Sequence, residues 1–510
     1  MQIEPQADAF VDAYGRGIAQ VVSTTLVADL ETPVSAFIKV ADGKPASFLL
    51  ESVEGGAVRG RYSIIGLDPD LVFRVRDGKA EIVRPGRGAP DGRTPDTVTP
   101  CLEPPLAALR TLIAESRIAL PDALPPMAAG VFGYLGYDMV RQMEEIGEPN
   151  PDPIGIPDAV LLRPTIVIVF DAVKDTITVV TPVRPDPGVP ARLAHARAVE
   201  RLTAVVDALD RPLLKEQAVT VAELPDQPPV SNTTPDAYAD MVRRAKEYIA
   251  AGDIFQVVLA QRFSTPFALP PFALYRALRR VNPAPFLFFI DLGGYAVVGS
   301  SPEILVRVRE NTVTIRPIAG TRPRGSTPHE DKALEEELLA DPKECAEHLM
   351  LLDLGRNDVG RVAAIGSVTV TDQFFIERYS QVMHIVSNVE GTLASSHDAL
   401  DALAAGFPAG TVSGAPKVRA MQIIDELEKE KRGLYAGCVG YFSAAGEMDS
   451  CIVLRTALVK DGTMYVQAGA GIVADSDPAA EQQECVNKAK ALFRAAEEAR
   501  RFASAAKRGQ

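Results

Sequence analysis

The chain of 510 residues contains no tryptophan and only five cysteines. The cysteines are scattered, odd in number and without a Cys-x-x-Cys pair: Cys101, Cys345, Cys438, Cys451 and Cys485. This usage argues against a zinc knuckle and favours free thiols in a reducing compartment. We therefore expect a cytoplasmic protein.

Long apolar runs and an excess of positive charge are also missing. No stretch approaches the ~20 apolar residues that a membrane-spanning helix requires. The first five residues, Met-Gln-Ile-Glu-Pro, show no basic segment leading into an apolar one, so we predict no signal peptide. The net charge of −14 argues against nucleic acid or an anionic membrane as the main partner.

The amino acids that are present are typical of a globular protein, with 47% hydrophobic and 24% charged residues. A length of 510 residues is enough for two to four domains. The stretch 224–234 contains Pro225, Pro228 and Pro229 and is typical of a linker. We predict an N-terminal domain over 1–225 and a C-terminal domain over 226–510. Strand pairs that alternate with single helices predict an α+β fold, with sheets covered by helices.

Two similar helix starts carry pairs of glutamates. Asp341 suits an N-cap and Pro342 the first helical position, and Glu344 would complete a capping box with Asp341. Glu347 lies three residues after Glu344, on the same face of the helix. Asp477-Pro478 repeats this layout near the C-terminus, with Glu481 and Glu484. Four carboxylates at one cleft would suit Mg²⁺. The alternative is that each pair only complements a helix dipole.

Three glycine-containing loops are candidates for anion binding. The first loop, 317–322, includes Gly320 and Thr321, and the second, 408–417, includes Thr411. The third, 469–476, begins with Gly-Ala-Gly and leads into the second glutamate helix. Each loop alone is also explained as an ordinary turn. None of them matches a Walker loop or a dinucleotide fingerprint, so the sequence does not indicate a nucleotide ligand.

Few residues qualify as acids, bases or buried cations. His384 lies in an apolar strand pattern, where a histidine is either a hydrogen-bonded core residue or a catalyst. Glu303 precedes the strand pattern 304–308, where burial would raise its pKa and make it a useful acid; a carboxylate at the rim of a turn is the alternative. Arg455 is predicted inside the strand 451–456, where a buried cation needs an anionic partner.

Taken together, these stretches resemble the chorismate-utilising enzymes, most closely the large component of anthranilate synthase. The similarity covers residues ~235–500 strongly and the N-terminal half moderately. The segments that carry it are 252–259, 301–303, 317–322, 347–358, 382–384, 408–417, 469–476 and 481–488. The resemblance implies a layered α/β/β/α sandwich with orthogonally packed, mainly antiparallel sheets.

The resemblance also implies a ligand set for chorismate and one Mg²⁺. Glu347 and Glu484 would bind the metal, and Glu344 and Glu481 would orient it or its waters. The positions that would bind chorismate are Gly320, Thr321, Tyr435, Arg455, Gly469, Ala470, Gly471 and Lys488.

For the reaction, the resemblance implies Glu303, His384 and Thr411 as catalytic residues. Glu303 would protonate the departing C4 hydroxyl of chorismate, ammonia would attack C2, and loss of pyruvate would give an aromatic ring. Related enzymes that use water carry a lysine base at the position of Gln256, and aminodeoxychorismate synthases often carry a lysine at that of Ala319. Both residues therefore favour anthranilate synthesis over these alternatives.

Two partners are implied. None of the cysteines lies in the Gly-flanked elbow of a glutamine amidotransferase, so a separate amidotransferase subunit would supply ammonia. Ser52 together with Pro285, Phe286 and Leu287 resembles the tryptophan feedback site of the family. A strand end and a Pro-rich turn are the alternatives. A non-catalytic tryptophan-binding regulator is a further alternative function, and the sequence leaves open a homo-oligomer or a heterotetramer.

Overall fold

A computed structural model describes residues 1–54, 58–86, 95–213, 227–379 and 382–504. The predicted domain boundary at 225/226 lies outside these residues. The five cysteines, all of which are described, are free thiols, as predicted. No helix in the described ranges combines the length and the apolar character needed to cross a membrane.

The described residues form eleven α-helices and 22 strands. The helices are α1 (Ala7–Gly15), α2 (Pro33–Ala41), α3 (Pro105–Glu115), α4 (Ala191–Asp210), α5 (Pro235–Ala251), α6 (Pro271–Val281), α7 (Pro328–Ala340), α8 (Pro342–Gly360), α9 (Ala399–Gly406), α10 (Lys417–Leu427) and α11 (Pro478–Ser504). Short 3₁₀ turns lie at Pro126–Ala128, Tyr137–Gln142 and Gly410–Val412.

The strands, in chain order, are β1 (Gln20–Val27), β2 (Ser47–Glu54), β3 (Val58–Arg76), β4 (Lys79–Arg84), β5 (Thr97–Pro100), β6 (Gly130–Leu135), β7 (Ala159–Asp171), β8 (Thr176–Val183), β9 (Val230–Ser231), β10 (Gln256–Pro266), β11 (Phe286–Asp291), β12 (Tyr295–Ser301), β13 (Ile304–Arg309), β14 (Thr312–Ile315), β15 (Ile318–Pro323), β16 (Thr369–Arg378), β17 (Val382–Thr392), β18 (Gly414–Ala415), β19 (Cys438–Ser443), β20 (Met448–Ile452), β21 (Thr456–Lys460) and β22 (Thr463–Ile472).

The strands form two antiparallel sheets that share the long strands β3 and β7. Sheet I runs β1-β8-β7-β3-β2-β11-β12-β21-β22-β10, and β10 also pairs with β9 and β18. Sheet II runs β5-β4-β3-β7-β6-β19-β20-β13-β14-β17, and β17 also pairs with β15 and β16.

A bend in β3 and β7 joins the two sheets. The first half of β3 pairs in sheet I and its second half in sheet II, with a register shift between Pro69 and Leu71. Asp68 takes a left-handed backbone conformation at this point (φ 47°), and Pro69 lies opposite Pro164 of β7. Strands that change sheet at a bend are how two sheets meet at a steep angle.

Three apolar cores define the layers. One lies between the sheets and contains Phe48 and Phe288 of sheet I against Phe132 and Tyr441 of sheet II. A second lies between sheet I and the helices α1, α2, α4, α6 and α11. The third holds α3, α5, α8, α9 and α10 against the outer face of sheet II and the end of β10. The predicted α/β/β/α order is therefore confirmed, and all strand pairs of the described residues are antiparallel.

Strands from both halves of the sequence alternate within each sheet. In sheet I, β2 pairs with β11 across more than 230 residues of sequence, and in sheet II, β6 pairs with β19. The two sheets therefore form only when both halves of the chain are present.

Candidate active site

Glu303 lies in the short connection between β12 and β13, directly before the strand, as predicted. Its side chain is buried, and its carboxylate accepts a hydrogen bond from the hydroxyl of Thr411 at 2.9 Å. The backbone N–H of Ile318 also donates to this carboxylate. The carbonyl oxygen of Glu303 accepts from the N–H of Ile452, which fixes the connection to the end of β20.

The environment of Glu303 favours its protonated form. Burial raises the pKa of this carboxyl to about 8, although the hydrogen bonds from Thr411 and Ile318 and the charge of Arg455 act in the opposite direction. A carboxylic acid with a pKa near 8 retains its proton at neutral pH. Glu303 can therefore donate a proton to a departing group.

Arg455 does not lie inside a strand, contrary to the sequence-based expectation. β20 ends at Ile452 and β21 begins at Thr456, so Arg455 occupies the connection, with a left-handed backbone (φ 46°). Its carbonyl oxygen accepts from the N–H of Ser300, three residues before Glu303. A non-glycine residue in this conformation is uncommon and tends to mark a functional site.

The guanidinium of Arg455 has an electrostatic setting suited to an anion. Burial lowers its pKa, while Tyr379 and Glu303 act to raise it. No carboxylate of the described residues is hydrogen-bonded to this guanidinium. Because Glu303 is protonated at neutral pH, the cation has no charged partner among the described side chains and is available for an anion.

His384 lies in β17, as the apolar pattern predicted. Its Nδ1 is 2.9 Å from the carbonyl oxygen of Gly320 and 3.1 Å from the hydroxyl oxygen of Thr321. A carbonyl oxygen can only accept, so we assign the ring proton to Nδ1. Burial lowers the pKa of His384 to about 4, so the ring is neutral and its Nε2 carries a lone pair.

Tyr379 belongs to this group of residues, although the sequence analysis did not select it. Its ring meets the ring of His384 edge-on, with 5.5 Å between centroids, and its hydroxyl donates to Glu377 at 2.7 Å. In the sequence, the only indication of such a role was that an aromatic residue stands a few positions before Met383-His384. Its place beside Arg455 and His384 depends on the packing of β16 against β17.

The predicted chorismate-binding glycines line the same region. Gly320 has a left-handed backbone (φ 70°), and a Cβ built on it would be 3.2 Å from Oε2 of Glu344. On β22, a Cβ at Gly469 would be 2.8 Å from the phenol oxygen of Tyr435, which accepts the Gly469 N–H. A Cβ at Gly471 would be 2.5 Å from the side-chain nitrogen of Gln256.

Ala470 belongs to this strand, and Lys488 of α11 contacts it. Ala470 is fully buried in the apolar core beneath it. Lys488 donates to the carbonyl oxygen of Gly469 at 3.0 Å and forms an ion pair with Glu484 at 2.7 Å. The Gly-Ala-Gly segment therefore connects the candidate substrate site to the second glutamate helix.

The starts of α8 and α11 lie close to each other. Asp341 caps α8 by accepting the N–H groups of Lys343 and Glu344, and Asp477 caps α11 by accepting those of Ala479 and Ala480. An ion pair of 3.5 Å between Lys343 and Asp475 joins the two helix starts. The capping-box prediction for Glu344 is wrong, since Asp341 alone caps α8 and Glu344 instead lies 3.5 Å from Arg322.

The negative charges of the glutamates on the two helices contribute to raised pKa values in this group. Burial is the main cause of the raised pKa of Glu347, and the charges of Glu344 and Glu484 raise it further. Burial likewise raises the pKa of Glu481, a hydrogen bond with Ser476 lowers it, and Glu484 raises it. Such mutual repulsion is relieved when a cation lies between the carboxylates.

These four side chains fit a hard cation in their chemistry, since all supply carboxylate oxygens. Among the described residues, however, no three side chains of His, Cys, Asp or Glu converge closely enough to form a metal site. Glu484 is occupied by its ion pair with Lys488. A metal would therefore require Glu484 to exchange Lys488 for the ion.

The residues predicted for tryptophan regulation meet on sheet I. Ser52 of β2 lies directly opposite Phe286 of β11, and its hydroxyl donates to the carbonyl oxygen of Tyr62. Phe286 packs against the core between the sheets, whereas Leu287 belongs to the core on the helix side of sheet I. Pro285 is half-buried and directly precedes β11.

A family described as chorismate binding enzyme matches residues 48–494. The chain belongs to this family. It is 57% identical over 503 residues to anthranilate synthase component 1 of Cereibacter sphaeroides, with 98% of this chain and 99% of that protein covered. It is 48% identical to the protein of the same name from Thermus thermophilus, with 93% and 97% covered.

Solved structures of the family have the same fold. Anthranilate synthase component I from Streptococcus pneumoniae superimposes with a TM-score of 0.73 at 37% identity, covering 92% of this chain and 98% of that one. The menaquinone-specific isochorismate synthase of Escherichia coli gives a TM-score of 0.68 at 20% identity, covering 96% and 98%. The second likeness concerns the fold alone.

Proposed function

We propose that this member of the family converts chorismate and ammonia to anthranilate and pyruvate, as an anthranilate synthase component 1. The observation that carries the proposal is the buried acid Glu303, with a pKa of about 8, next to Thr411 and near the cationic Arg455. The reaction expels a hydroxyl group, which leaves as water only when an acid protonates it. The names of the relatives support the same activity.

In the first step, Glu303 gives its proton to the C4 hydroxyl of chorismate, and ammonia forms a bond to C2 as water departs. Thr411 then donates to the resulting carboxylate of Glu303 and stabilises it. Arg455, which has no carboxylate partner in the described part of the chain, binds a carboxylate of the substrate.

In the second step, the proton on C2 is lost, the bond between C3 and the enolpyruvyl oxygen breaks, and the ring becomes aromatic. The enolpyruvate released takes up a proton on its methylene carbon to become pyruvate. Neutral His384, with Nδ1 held by Gly320, presents Nε2 as a base for the proton on C2. Thr321 reinforces the same ring orientation.

Gln256 supports ammonia, and not water, as the nucleophile. Its side chain is buried beside Gly471, and its Oε1 has no hydrogen-bond donor among the described residues. An amide oxygen can accept an N–H of ammonia but cannot deprotonate water. Ala319 lies on β15 and has no amine that could compete with ammonia as the nucleophile, as a lysine at this position would.

We further propose that Glu347 and Glu484 bind Mg²⁺, with Glu344 and Glu481 orienting it. When bound, the ion would hold the substrate's ring carboxylate and offset the charge of the four glutamates. The raised pKa values of Glu347 and Glu481 support this assignment, since like charges contribute to both.

A separate amidotransferase subunit would supply ammonia from glutamine. Tryptophan would inhibit the enzyme at a site that includes Ser52 and Phe286. These two residues lie opposite each other on β2 and β11, which supports a shared site. Coupling would pass along sheet I, because β11 leads through β12 to β21, next to Arg455. The unpaired cysteines support a cytoplasmic location.

The test is to incubate the purified protein with chorismate, MgCl₂ and an ammonium salt and to follow the fluorescence of anthranilate. Appearance of anthranilate that stops on removal of magnesium supports the proposal. Accumulation of an aminated intermediate without anthranilate would instead indicate an aminodeoxychorismate synthase. Binding of tryptophan with no consumption of chorismate would indicate a non-catalytic regulator.

A further inference from the structure

A buried ion pair, Glu428 with Arg432, lies behind the candidate active site. Nη2 of Arg432 is 2.5 Å from Oε1 of Glu428, and Nε is 2.9 Å from Oε2. The side chains are 1% and 5% exposed for Arg432 and Glu428, so the pair is shielded from water. Burial by itself lowers the pKa of Arg432, but Glu428 more than compensates, so the guanidinium remains charged.

The pair binds three backbone positions on two other segments. Nη1 of Arg432 donates to the carbonyl oxygen of Val412 at 2.7 Å, and Nη2 donates to that of Val258, also at 2.7 Å. Oε1 of Glu428 accepts the N–H of Ala260 at 2.9 Å. The planar guanidinium thus ties the 408–417 loop to strand β10.

Each of these backbone positions adjoins a proposed site residue. Val412 directly follows Thr411, which donates to Glu303. On β10, Val258 pairs with Gly471 and Ala260 pairs with Gly469. The ion pair therefore holds both the loop that orients the acid and the strand that supports the glycine segment.

Arg432 also supports Tyr435. Its guanidinium lies 5.4 Å from the centroid of the Tyr435 ring and 4.9 Å from that of Tyr137, so the cation packs against two aromatic faces. The phenol oxygen of Tyr435 accepts the N–H of Gly469. A single side chain is therefore linked to the general acid and to the candidate substrate site.

We propose that Arg432, oriented by Glu428, is a positioning residue that holds Thr411, Tyr435 and the strand facing Gly469 in the geometry needed for turnover of chorismate. This inference rests on the proposed function. A buried ion pair is weak support for stability as such, because apolar residues of similar size often replace one without loss. Four directed contacts to site-bearing segments are what a role in positioning requires.

The experiment compares Arg432→Lys with the double variant Arg432→Met/Glu428→Leu. Lysine keeps the charge but loses the planar fork and its simultaneous bonds to the carbonyls of Val412 and Val258. The double variant removes both charges together, so that neither is left buried and unpaired. Arg163→Lys is the matched control, because Arg163 forms a two-point ion pair with Asp70 away from the site.

We expect Arg432→Lys and the double variant to unfold cooperatively, as the control does, while kcat/KM for chorismate falls about 10²-fold, since small misplacements of catalytic groups have effects of this size. The alkaline limb of the pH profile should also move to higher pH. The hydrogen bond from Thr411 lowers the pKa of Glu303, so loosening it raises that pKa. A role in folding alone would not move this limb.

Consumption of chorismate, followed by its ultraviolet absorbance, is measured beside anthranilate, and the affinity for chorismate is measured by calorimetry. Loss of consumption or of affinity in both variants, but not in Arg163→Lys, supports the inference whatever the product is. Wild-type kcat/KM, affinity and pH profile in a folded Arg432→Lys would overturn it. Consumption without anthranilate in the wild type would instead overturn the proposed function.

Discussion

Replacing Glu303 by glutamine removes the proton donor from a site that otherwise keeps its shape. In the wild type, we expect kcat to be constant below the pKa of about 8 and to fall roughly tenfold per pH unit above it, because the carboxyl must carry a proton. Glu303→Gln should lower kcat by about 10²–10⁴-fold at neutral pH, the range for loss of a general acid.

The same substitution should change how stability depends on pH. The pKa of Glu303 is raised on folding from 4.5 to about 8, so the folded state holds a proton in this window that the unfolded state has released. The free energy of unfolding of the wild type must therefore fall as the pH rises through the window. The shift corresponds to an upper limit of about 5 kcal/mol, which the glutamine variant does not lose.

Both effects can be measured on the same proteins. Anthranilate formation is followed between pH 6 and 10 with saturating chorismate and ammonium, and unfolding in urea is measured at pH 4 and pH 9. Glu115→Gln, at an exposed position near the end of α3, is the control. Equal loss of stability between the two pH values in Glu303→Gln and the wild type would refute the inference that Glu303 is a buried acid.

Three further predictions concern the metal, the regulator and the substrate. Glu484→Gln should raise the Mg²⁺ concentration needed for half-maximal turnover by on the order of 10²-fold, since even indirect metal partners have effects of 10–100-fold. Ser52→Phe should relieve inhibition by tryptophan while ammonium-dependent turnover persists, because the larger side chain fills the space opposite Phe286. Gly469→Ala should raise KM for chorismate and destabilise the fold by about 1–3 kcal/mol, since the new Cβ would lie 2.8 Å from the phenol oxygen of Tyr435 and 2.9 Å from a backbone carbonyl oxygen.

The metal and substrate predictions each have a matched control. Glu145→Gln removes an exposed carboxylate on another part of the chain, and Gly294→Ala adds a methyl group where no atom lies within 4 Å. Unchanged magnesium dependence in Glu484→Gln would remove this residue from the metal site. Full tryptophan inhibition in Ser52→Phe would place the regulator elsewhere, and a wild-type KM in Gly469→Ala would show that chorismate does not contact this segment.

Features that depend on neighbouring residues can be predicted from the amino-acid sequence. Asp341-Pro342 and Asp477-Pro478 start helices because a capping carboxylate and a proline act within one turn. The apolar pattern around His384 predicted a strand, and Glu303 lies at a strand entrance as expected. The four-layer fold and the choice of site residues came from the resemblance of many short motifs to one family.

Other properties could not be predicted in this way, because they depend on which distant segments the fold brings into contact. The pKa of Glu303 follows from burial next to Thr411, more than 100 residues away. Arg455 was expected in a strand, but the end of β20 leaves it in a left-handed connection facing the acid. Glu428 and Arg432 are an ordinary i, i+4 pair in the sequence, and only the packing of β10 and the 408–417 loop around them buries the pair and turns it into a support for the site.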